Sequence, residues 1–386
     1  MNLGLKDVRH SIGRFVMTVA GVAFLVTASI GMIGLYRGIV ADALLVIDRI
    51  GADLWVVQGG RAGPFSESSA ISSDMDRRVE GIDGVASVRR FVQISQQFEH
   101  HGRSLRASLT GLDYPRDAGE WVPLIAGRHM ASGHFEAIAD LSIGLKLGET
   151  VRLGQDDFTV VGLTRGMVDM GGDGLLVVSI NDAMAVARRR TSEEVLLARN
   201  AAGAMSSASS GSSVAQDSKI SAALVTLSPA ADEAAVRRAI MAWGDANVLS
   251  RAEQRSLLLD QRLWRLRVQI LAFTGVLLTV MAIVISLIIY MLTMEKRHQI
   301  AMLKLIGARN TVIISMIAEQ AYLIGAAGLA LGLVLSNVIF PWFPRRVVIE
   351  LSDVALLGLA MAIICGVASL LGISRALKVR AQEVLS

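Results

Sequence analysis

Cysteine and charge are both scarce in this chain, and each shortage excludes something. A single cysteine, Cys365, among 386 residues rules out an intramolecular disulfide framework and any multi-thiolate metal site. Only 19% of the residues are charged while 53% are hydrophobic, and the mean hydropathy is +0.51. Soluble domains run at roughly 45–50% apolar and about 25% charged, so the chain is too apolar and too sparsely charged to be wholly soluble. A formal net charge of +4 is small for this length and argues against nucleic-acid binding. The chain has no Gly-x-x-x-x-Gly-Lys-Ser/Thr phosphate loop, no His-Glu-x-x-His and no Gly-x-Ser-x-Gly. It therefore does not hydrolyse ATP in the P-loop manner, and no recognisable catalytic constellation marks it as an enzyme.

Long apolar runs take the place of these features. A membrane helix needs about 20 mostly apolar residues, and four stretches qualify: 15–40, 269–293, 312–339 and 354–373. Residues 1–14 form a short leader with Lys6, Arg9 and Arg14. The first stretch is about twice as long as a signal-peptide core and no small-x-small cleavage site follows it, so it reads as an uncleaved span. The expected fold is an α-helical membrane protein with four transmembrane helices. A large α+β extracytoplasmic domain, residues 41–268, is inserted between helices 1 and 2.

Lys and Arg near the span ends set the orientation. Lys296, Arg297, Lys304 and Arg309 crowd the 294–311 connector, and Arg375, Lys378 and Arg380 the tail, 374–386. The 340–353 loop has Arg345 and Arg346, offset by Glu350 and Asp353. Both termini and the 294–311 segment are expected in the cytoplasm. The insert and the 340–353 loop are expected outside.

Within the insert, Asp53–Gln58 reads as a strand and Asp74–Glu80 as a short helix capped by Ser72 or Ser73. Extended structure is expected over Gly84–Ile94 and Ser104–Gly111. Gly148–Gly162 reads as a hairpin turning at Gly154-Gln-Asp-Asp157. Leu175–Ile180 and Ala222–Leu227 read as strands, Asp182–Arg190 and Pro229–Trp243 as helices. A mixed sheet with helices on one face, in two subdomains, is the expectation. Asn200–Ser218 is rich in Ala, Ser and Gly with almost no large apolar residues, so it reads as a flexible loop.

No metal site is expected: neither His100-His101 nor the pair His129 and His134 has a supporting Cys or Glu-x-x-His motif. Asp169, Asp173 and the surrounding glycines read as a flexible turn rather than a cation or phosphate loop. The spans carry more. Thr27, Gly31, Gly34 and Gly38 recur at helical spacing, a small-residue face suited to close helix packing. Gly325, Gly328 and Gly332 share one face of the third span. Glu319 lies on roughly the opposite face with Ser315, Tyr322 and Asn337 near it, so this helix is expected to pack on two sides. A carboxylate at that depth is expensive. It is either a functional group or a structural partner of a neighbouring helix, and both readings stand.

The 294–311 connector is the sharpest feature: Glu295-Lys-Arg-His-Gln-Ile-Ala-Met-Leu-Lys-Leu-Ile-Gly-Ala308. Ile300, Leu303, Leu305 and Ile306 form an apolar side; Glu295, Arg297, His298 and Lys304 form a polar one. Gly307 is a natural helix stop. A short amphipathic helix on the inner membrane face would offer a docking knob to a cytoplasmic partner.

This run resembles the Glu-Arg/Lys-x-x-Glu-Ile-x-x-Leu-Arg/Lys-Ala-x-Gly-Ala signature of the MacB-type (FtsX-like) permeases of ABC transporters. Gln299 and Leu305 depart from it, as does Ala381 from the family's closing element at Arg380–Leu385. Glu319 falls where that family has a Glu in its third span. Gly325–Gly332 is similar to its glycine-rich run, and Leu147–Leu153 with Phe158–Gly162 to its extracytoplasmic core domain. Asp53–Val57 with Gly63-Pro-Phe65 is similar to the DevC-like branch. The resemblance implies a half-transporter that works as a homodimer, with a separate ABC ATPase subunit under each copy. ATP and Mg²⁺ would be used by that subunit; no cofactor would be bound by this chain. It implies export or extraction of a substrate by mechanotransmission, in double-membrane bacteria often completed by a periplasmic membrane-fusion protein and an outer-membrane channel. ATPase coupling would then fall to Glu295, Lys296, Arg297, Ile300, Leu303, Lys304 and Gly307. The alternative within the family is an FtsX-like, non-transporting regulator of a cell-wall hydrolase.

Overall fold

A computed structural model of the chain describes residues 12–189, 219–306, 309–343 and 345–378. It opens on α1 (Ile12–Arg49). There follow β1 (Leu54–Gln58), β2 (Ile71–Ser72), α2 (Met75–Glu80), β3 (Val85–His100), β4 (Arg103–Leu112), β5 (Leu124–Gly127) and β6 (Glu136–Asp140). Next come β7 (Thr150–Leu153), β8 (Asp156–Thr164), β9 (Gly174–Ser179) and helix α3 (180–189). After β10 (Lys219–Ile220) and β11 (Ala222–Leu227) stand α4 (Glu233–Met241), β12 (Ala246–Ser250) and α5 (Arg251–Leu257). The chain closes on α6 (Trp264–Glu295), α7 (Arg297–Leu305), α8 (Asn310–Ile339) and α9 (Leu351–Lys378). The loop expected over Asn200–Ser218 lies outside the described residues.

Two compact units result: Val40–Trp264, and the remainder of the chain. In the second, α1, α6, α8 and α9 each contain a stretch long and apolar enough to cross a membrane, four among the described residues. Helix α6 buries Ile270, Thr274, Met281, Ile285, Ile289 and Thr293, a stripe at near-helical repeat. Its other faces leave Leu271, Phe273, Val276 and Ile283 exposed. An apolar outer surface over a helical backbone that satisfies its own hydrogen bonds is what a bilayer requires. The bundle core joins Val22, Val26 and Ile30 of α1 to Ile285 and Ile289 of α6, Ile317 and Ile324 of α8, and Leu357 and Met361 of α9.

Helix α1 has 38 residues, about 57 Å at 1.5 Å per residue, nearly twice the hydrocarbon thickness. The apolar run breaks at Asp42, where the span was expected to end near residue 40, but the helix continues. Asp42 is buried, and Leu45, Val46 and Ile50 join the core of the inserted unit.

That unit is built on one continuous sheet, ordered β12-β1-β11-β3-β4-β9-β6-β8-β5 with β7 paired to β8; β4·β9 and β6·β8 are parallel and the rest antiparallel. The period-2 alternation of side chains serves both faces. Leu54 and Val56, Ala223 and Val225, Leu176 and Val178 face one core; Trp55 and Val57, Ala222 and Leu224, Leu175 and Val177 face the other. Helices α2, α3 and α4 cover the first face through Val79, Ala183 and Val236. Because both faces are buried, the strands read as apolar runs, and the sheet is shared across the unit rather than divided between two subdomains.

Two local expectations are corrected. The N-cap of α2 is Asp74, not Ser72 or Ser73, because Ser72 is taken into strand β2. The β7–β8 turn is Gly154-Gln155, with pairing restored at Asp156 by Leu153↔Asp156; Gly154 at φ +68° lets the chain reverse that quickly.

Candidate functional site

The connector expected to couple to a partner is helical, and its first turn continues the hydrogen bonding of α6: Lys296 N donates to Leu292 O at 3.3 Å and Ile300 N to Lys296 O at 2.9 Å. Ile300 is fully buried, packed with the bundle core that includes Ile289, Ile313 and Ile317, and Ala301 is buried beside it. Glu295, His298 and Gln299 are exposed; burial pushes the half-buried Lys296 ammonium below its ordinary value. One expectation is corrected here. Ile306, read as sharing an apolar side with Ile300, is not buried with it: it is 81% exposed, and Met302 one turn earlier is 48% exposed. At i, i+4 these two share a helix face, so α7 combines a buried root with an apolar knob beside polar residues. Gly307 lies outside the described residues, as do the side chains of Arg297, Leu303, Lys304 and Leu305.

The small-residue positions lie at close contacts within the chain. A Cβ on Gly328 would stand 2.5 Å from Val22 Cγ1, and one on Gly332 2.6 Å from Val26 Cγ1, both on α1. Thr27 Oγ1 donates to Gly332 O at 3.0 Å across the same contact. Gly325 abuts Cys365 and Met361 of α9. On α1, a Cβ added to Gly31 would stand 3.0 Å from the Phe340 ring, one on Gly34 would run into Val347, and one on Gly38 into the Arg346 carbonyl. Gly31, Gly34 and Gly38 of the first span, which the resemblance would put in a dimer contact, are therefore covered by the chain's own Phe340 and Arg346–Ile349. Val348 N even donates to Gly34 O at 3.0 Å. A side chain at these positions would hold the two backbones apart.

The same approach creates an ion cluster that the sequence reading missed. Arg37 Nη1 meets Glu350 at 2.7 Å, its Nε meets Asp353 Oδ2 at 2.7 Å, and its Nη2 donates to Asp353 Oδ1 at 2.9 Å. The Asp353 carboxylate is nearly buried, so the fork on one side and the Glu350 amide on the other (3.3 Å) hold it at the start of α9. The signal was present: an Arg in an otherwise apolar run, and two acids opening a later one. Glu319, by contrast, is exposed on the single chain, and among the described residues its carboxylate has no hydrogen bond or ion pair. Its neighbours divide: Ser315 donates to Val312 O and Asn337 to Leu333 O within α8, while the Tyr322 hydroxyl stands over Gly366. Helix α8 thus packs its glycine side and presents its Glu319 side outward.

The inserted unit holds a cavity of about 500 Å³ lined by Asp42, Phe65, Arg106, Asp169, Asp173 and Arg262 among others. Its charges are mostly engaged. Arg106 pairs with Asp173 at 2.8 Å, and Arg262 Nη1 donates to the Phe65 and Ser66 carbonyls, each at 2.8 Å. The Asp169 loop is an ordered turn: Asp173 N donates to Asp169 Oδ1 and Asp169 N to Asp173 O, both at 2.9 Å, and burial raises the Asp169 carboxyl. The histidines separate. His134 Nδ1 meets Asp182 at 2.8 Å, away from any His129 contact. His100 and His101 converge on Glu149, a residue the sequence reading did not connect to them. Hydrogen bonding from His100, reinforced by the Lys146 amide, holds the Glu149 carboxyl down to about 2.

Two family models match this organisation. Residues 15–243 match the MacB-like periplasmic core domain and residues 271–381 the FtsX-like permease C-terminal family. An uncharacterised ABC transporter permease of Mycobacterium tuberculosis is 24% identical over 376 residues, covering 97% of this chain and 96% of the relative. One from Mycobacterium bovis is 23% identical over 372 residues, covering 96% and 95%. Among solved structures, the periplasmic region of MacB from Actinobacillus actinomycetemcomitans aligns with 52% of this chain and 90% of its own at 12% identity, TM-score 0.37. The extracellular domain of the ABC-type transporter YknZ from Gram-positive bacteria aligns with 52% and 99% at 14% identity, TM-score 0.34.

Proposed function

The chain belongs to the MacB-type, FtsX-like family of ABC transporter permeases, and from that premise we propose that it is a non-catalytic subunit transmitting the work of a separate ATPase to its inserted domain. It is a multi-pass protein of the inner membrane. The family implies an ABC ATPase partner; the way this chain engages it is our reading. The observation that carries the reading is α7: Ile300 is rooted in the bundle core while Met302 and Ile306 stand exposed on a short helix. A knob that continues α6 and packs its root, Ile300, against Ile313 and Ile317 of α8 would transmit displacement of its partner into those spans, whereas a solvated loop would absorb it. Motion of the bundle would then reach the extracytoplasmic domain and drive export or extraction of a substrate at the outer face. Lys and Arg around the connector support its cytoplasmic placement. The outward-facing Glu319 supports a second permease copy, because an intramembrane carboxylate is costly against lipid.

The test is replacement of Met302 and Ile306 together by Ala. The permease should still insert and purify as a monodisperse species, but recover less ATPase subunit on co-purification and show lower ATP turnover in the assembled complex. Unchanged recovery and turnover would mean that α7 does not dock the partner.

A further inference from the structure

The tip of the β3–β4 hairpin brings together three metal-ligating groups that neither the fold nor the coupling mechanism uses. His100 closes β3, directly opposite Arg103 in the pairing register. His101 and Gly102 make the turn, with φ of +49° and +73°. Positive φ at both central positions is the two-residue hairpin turn whose twist matches the flanking strands, usually served by Asn-Gly. A histidine stands there instead, and its ring lies 4.2 Å from that of His100, centroid to centroid. The two Nε2 atoms point at the same oxygen, Glu149 Oε1, at 2.8 Å from His100 and 3.0 Å from His101. All three ligand atoms lie within 4.8 Å of one another.

Glu149 is oriented independently of the histidines. Its other oxygen, Oε2, accepts from the Lys146 amide at 2.8 Å. Its own amide donates to Lys146 O at 3.1 Å and its carbonyl accepts from Val160 N at 2.9 Å. One carboxylate oxygen is thereby pinned by main chain and the other is left aimed at the two rings, the arrangement by which outer hydrogen bonds orient a metal ligand. His100 and Glu149 side chains are 12% and 22% exposed, while His101 is 77% exposed. The site is thus framed by protein on two sides and open on the third.

We propose that His100, His101 and Glu149 form a binding site for a divalent transition-metal cation of the zinc class, clamping the hairpin tip to the start of β7. Two neutral imidazoles and one carboxylate are a donor set that suits such a cation and suits Mg²⁺ and Ca²⁺ poorly. Metal–ligand bonds of about 2.0–2.2 Å place tetrahedral ligand atoms roughly 3.3 Å apart. The present spacings of 2.8 and 3.0 Å therefore need to open by only a few tenths of an ångström. With three protein ligands the fourth position is left to water, so the ion exchanges and a chelator removes it. The ligands come from positions 49 residues apart in the chain, so the ion would cross-link two hairpins of the inserted unit.

The full-length permease, purified without a histidine tag and stripped with chelator, would be titrated with Zn²⁺ and with Co²⁺, following calorimetry and the cobalt absorption bands. Wild type should take up one equivalent per chain, and Zn²⁺ should slow hydrogen exchange at the 100–103 turn. His100→Ala and Glu149→Gln should each weaken binding at least about tenfold and abolish the exchange effect; Glu149→Gln keeps size and shape should the alanine variant fold poorly. His129→Ala, outside the cluster, should bind as wild type does. Failure of wild type to bind one saturable equivalent, or equal binding by Glu149→Gln, would overturn the site.

Discussion

Glu319 sits about two and a half turns into α8, on the side of the helix that the chain itself leaves bare. Insertion scales put the cost of a central charged side chain near 2.5–3.5 kcal/mol; on the proposed reading, a second permease copy receives it. Glu319→Gln should leave the permease folded and inserted while weakening the link between ATP hydrolysis and transport in the reconstituted complex. Wild-type coupling in Glu319→Leu would show the carboxylate to be a bystander. Arg37 is the opposite case, a charge fully engaged inside the chain by Glu350 and Asp353. A double-mutant cycle of Arg37→Met and Asp353→Asn, read by thermal unfolding in detergent, should return a coupling of about 0.5–3 kcal/mol. Additive effects would mean that the ion cluster holds nothing together. Both residues were visible in the sequence, but their contrast was not: exposure and pairing depend on which face each helix turns inward.

Between elements, glycines decide how closely the spans approach. In a bilayer the apolar side chains gain little by leaving lipid, so close backbone contact and packing supply much of the association. Gly332→Leu would drive a side chain into Val26, with Cβ already 2.6 Å from its Cγ1 and 3.0 Å from the Ala23 carbonyl. Overpacking of this kind costs about 1–3 kcal/mol, and the melting temperature of the purified permease should fall accordingly. Gly275, where an added Cβ meets nothing within 4 Å, should accept Leu with no comparable loss. Equal effects at the two positions would remove the packing role of the Gly325–Gly332 run. The face periodicity of this run was legible from spacing alone. Its partner was not: Val22 and Val26 look like any other apolar residues of the first span, and the 340–349 segment gives no sign in sequence that it lies along Gly31, Gly34 and Gly38.

For the molecule as a whole, topology is the property on which the functional reading rests. In a Cys365→Ser background, Ser68→Cys should react with a membrane-impermeant thiol reagent on intact cells, and Gln299→Cys should react only after permeabilisation. Labelling of Gln299→Cys from outside would invert the protein and remove the ATPase from α7.

Span number and the place of the inserted domain were legible in the sequence alone, because they depend on local composition: a run of about 20 apolar residues needs no neighbour to be recognised. Most strands of the insert were legible for the same reason, since β-branched and apolar runs bounded by glycines specify extended backbone locally. Tertiary structure alone decided which side chains meet. It carried α1 past Asp42 into the inserted unit, buried Ile300 but exposed Ile306, closed Arg37 onto Asp353, and brought Glu149 to His100 and His101 from another hairpin. Each of these depends on the register of strands or the rotation of helices about their axes. Those quantities are fixed when a whole core packs, because a one-residue slip in a strand or a 100° turn of a helix exchanges the buried face for the exposed one without altering any local pattern.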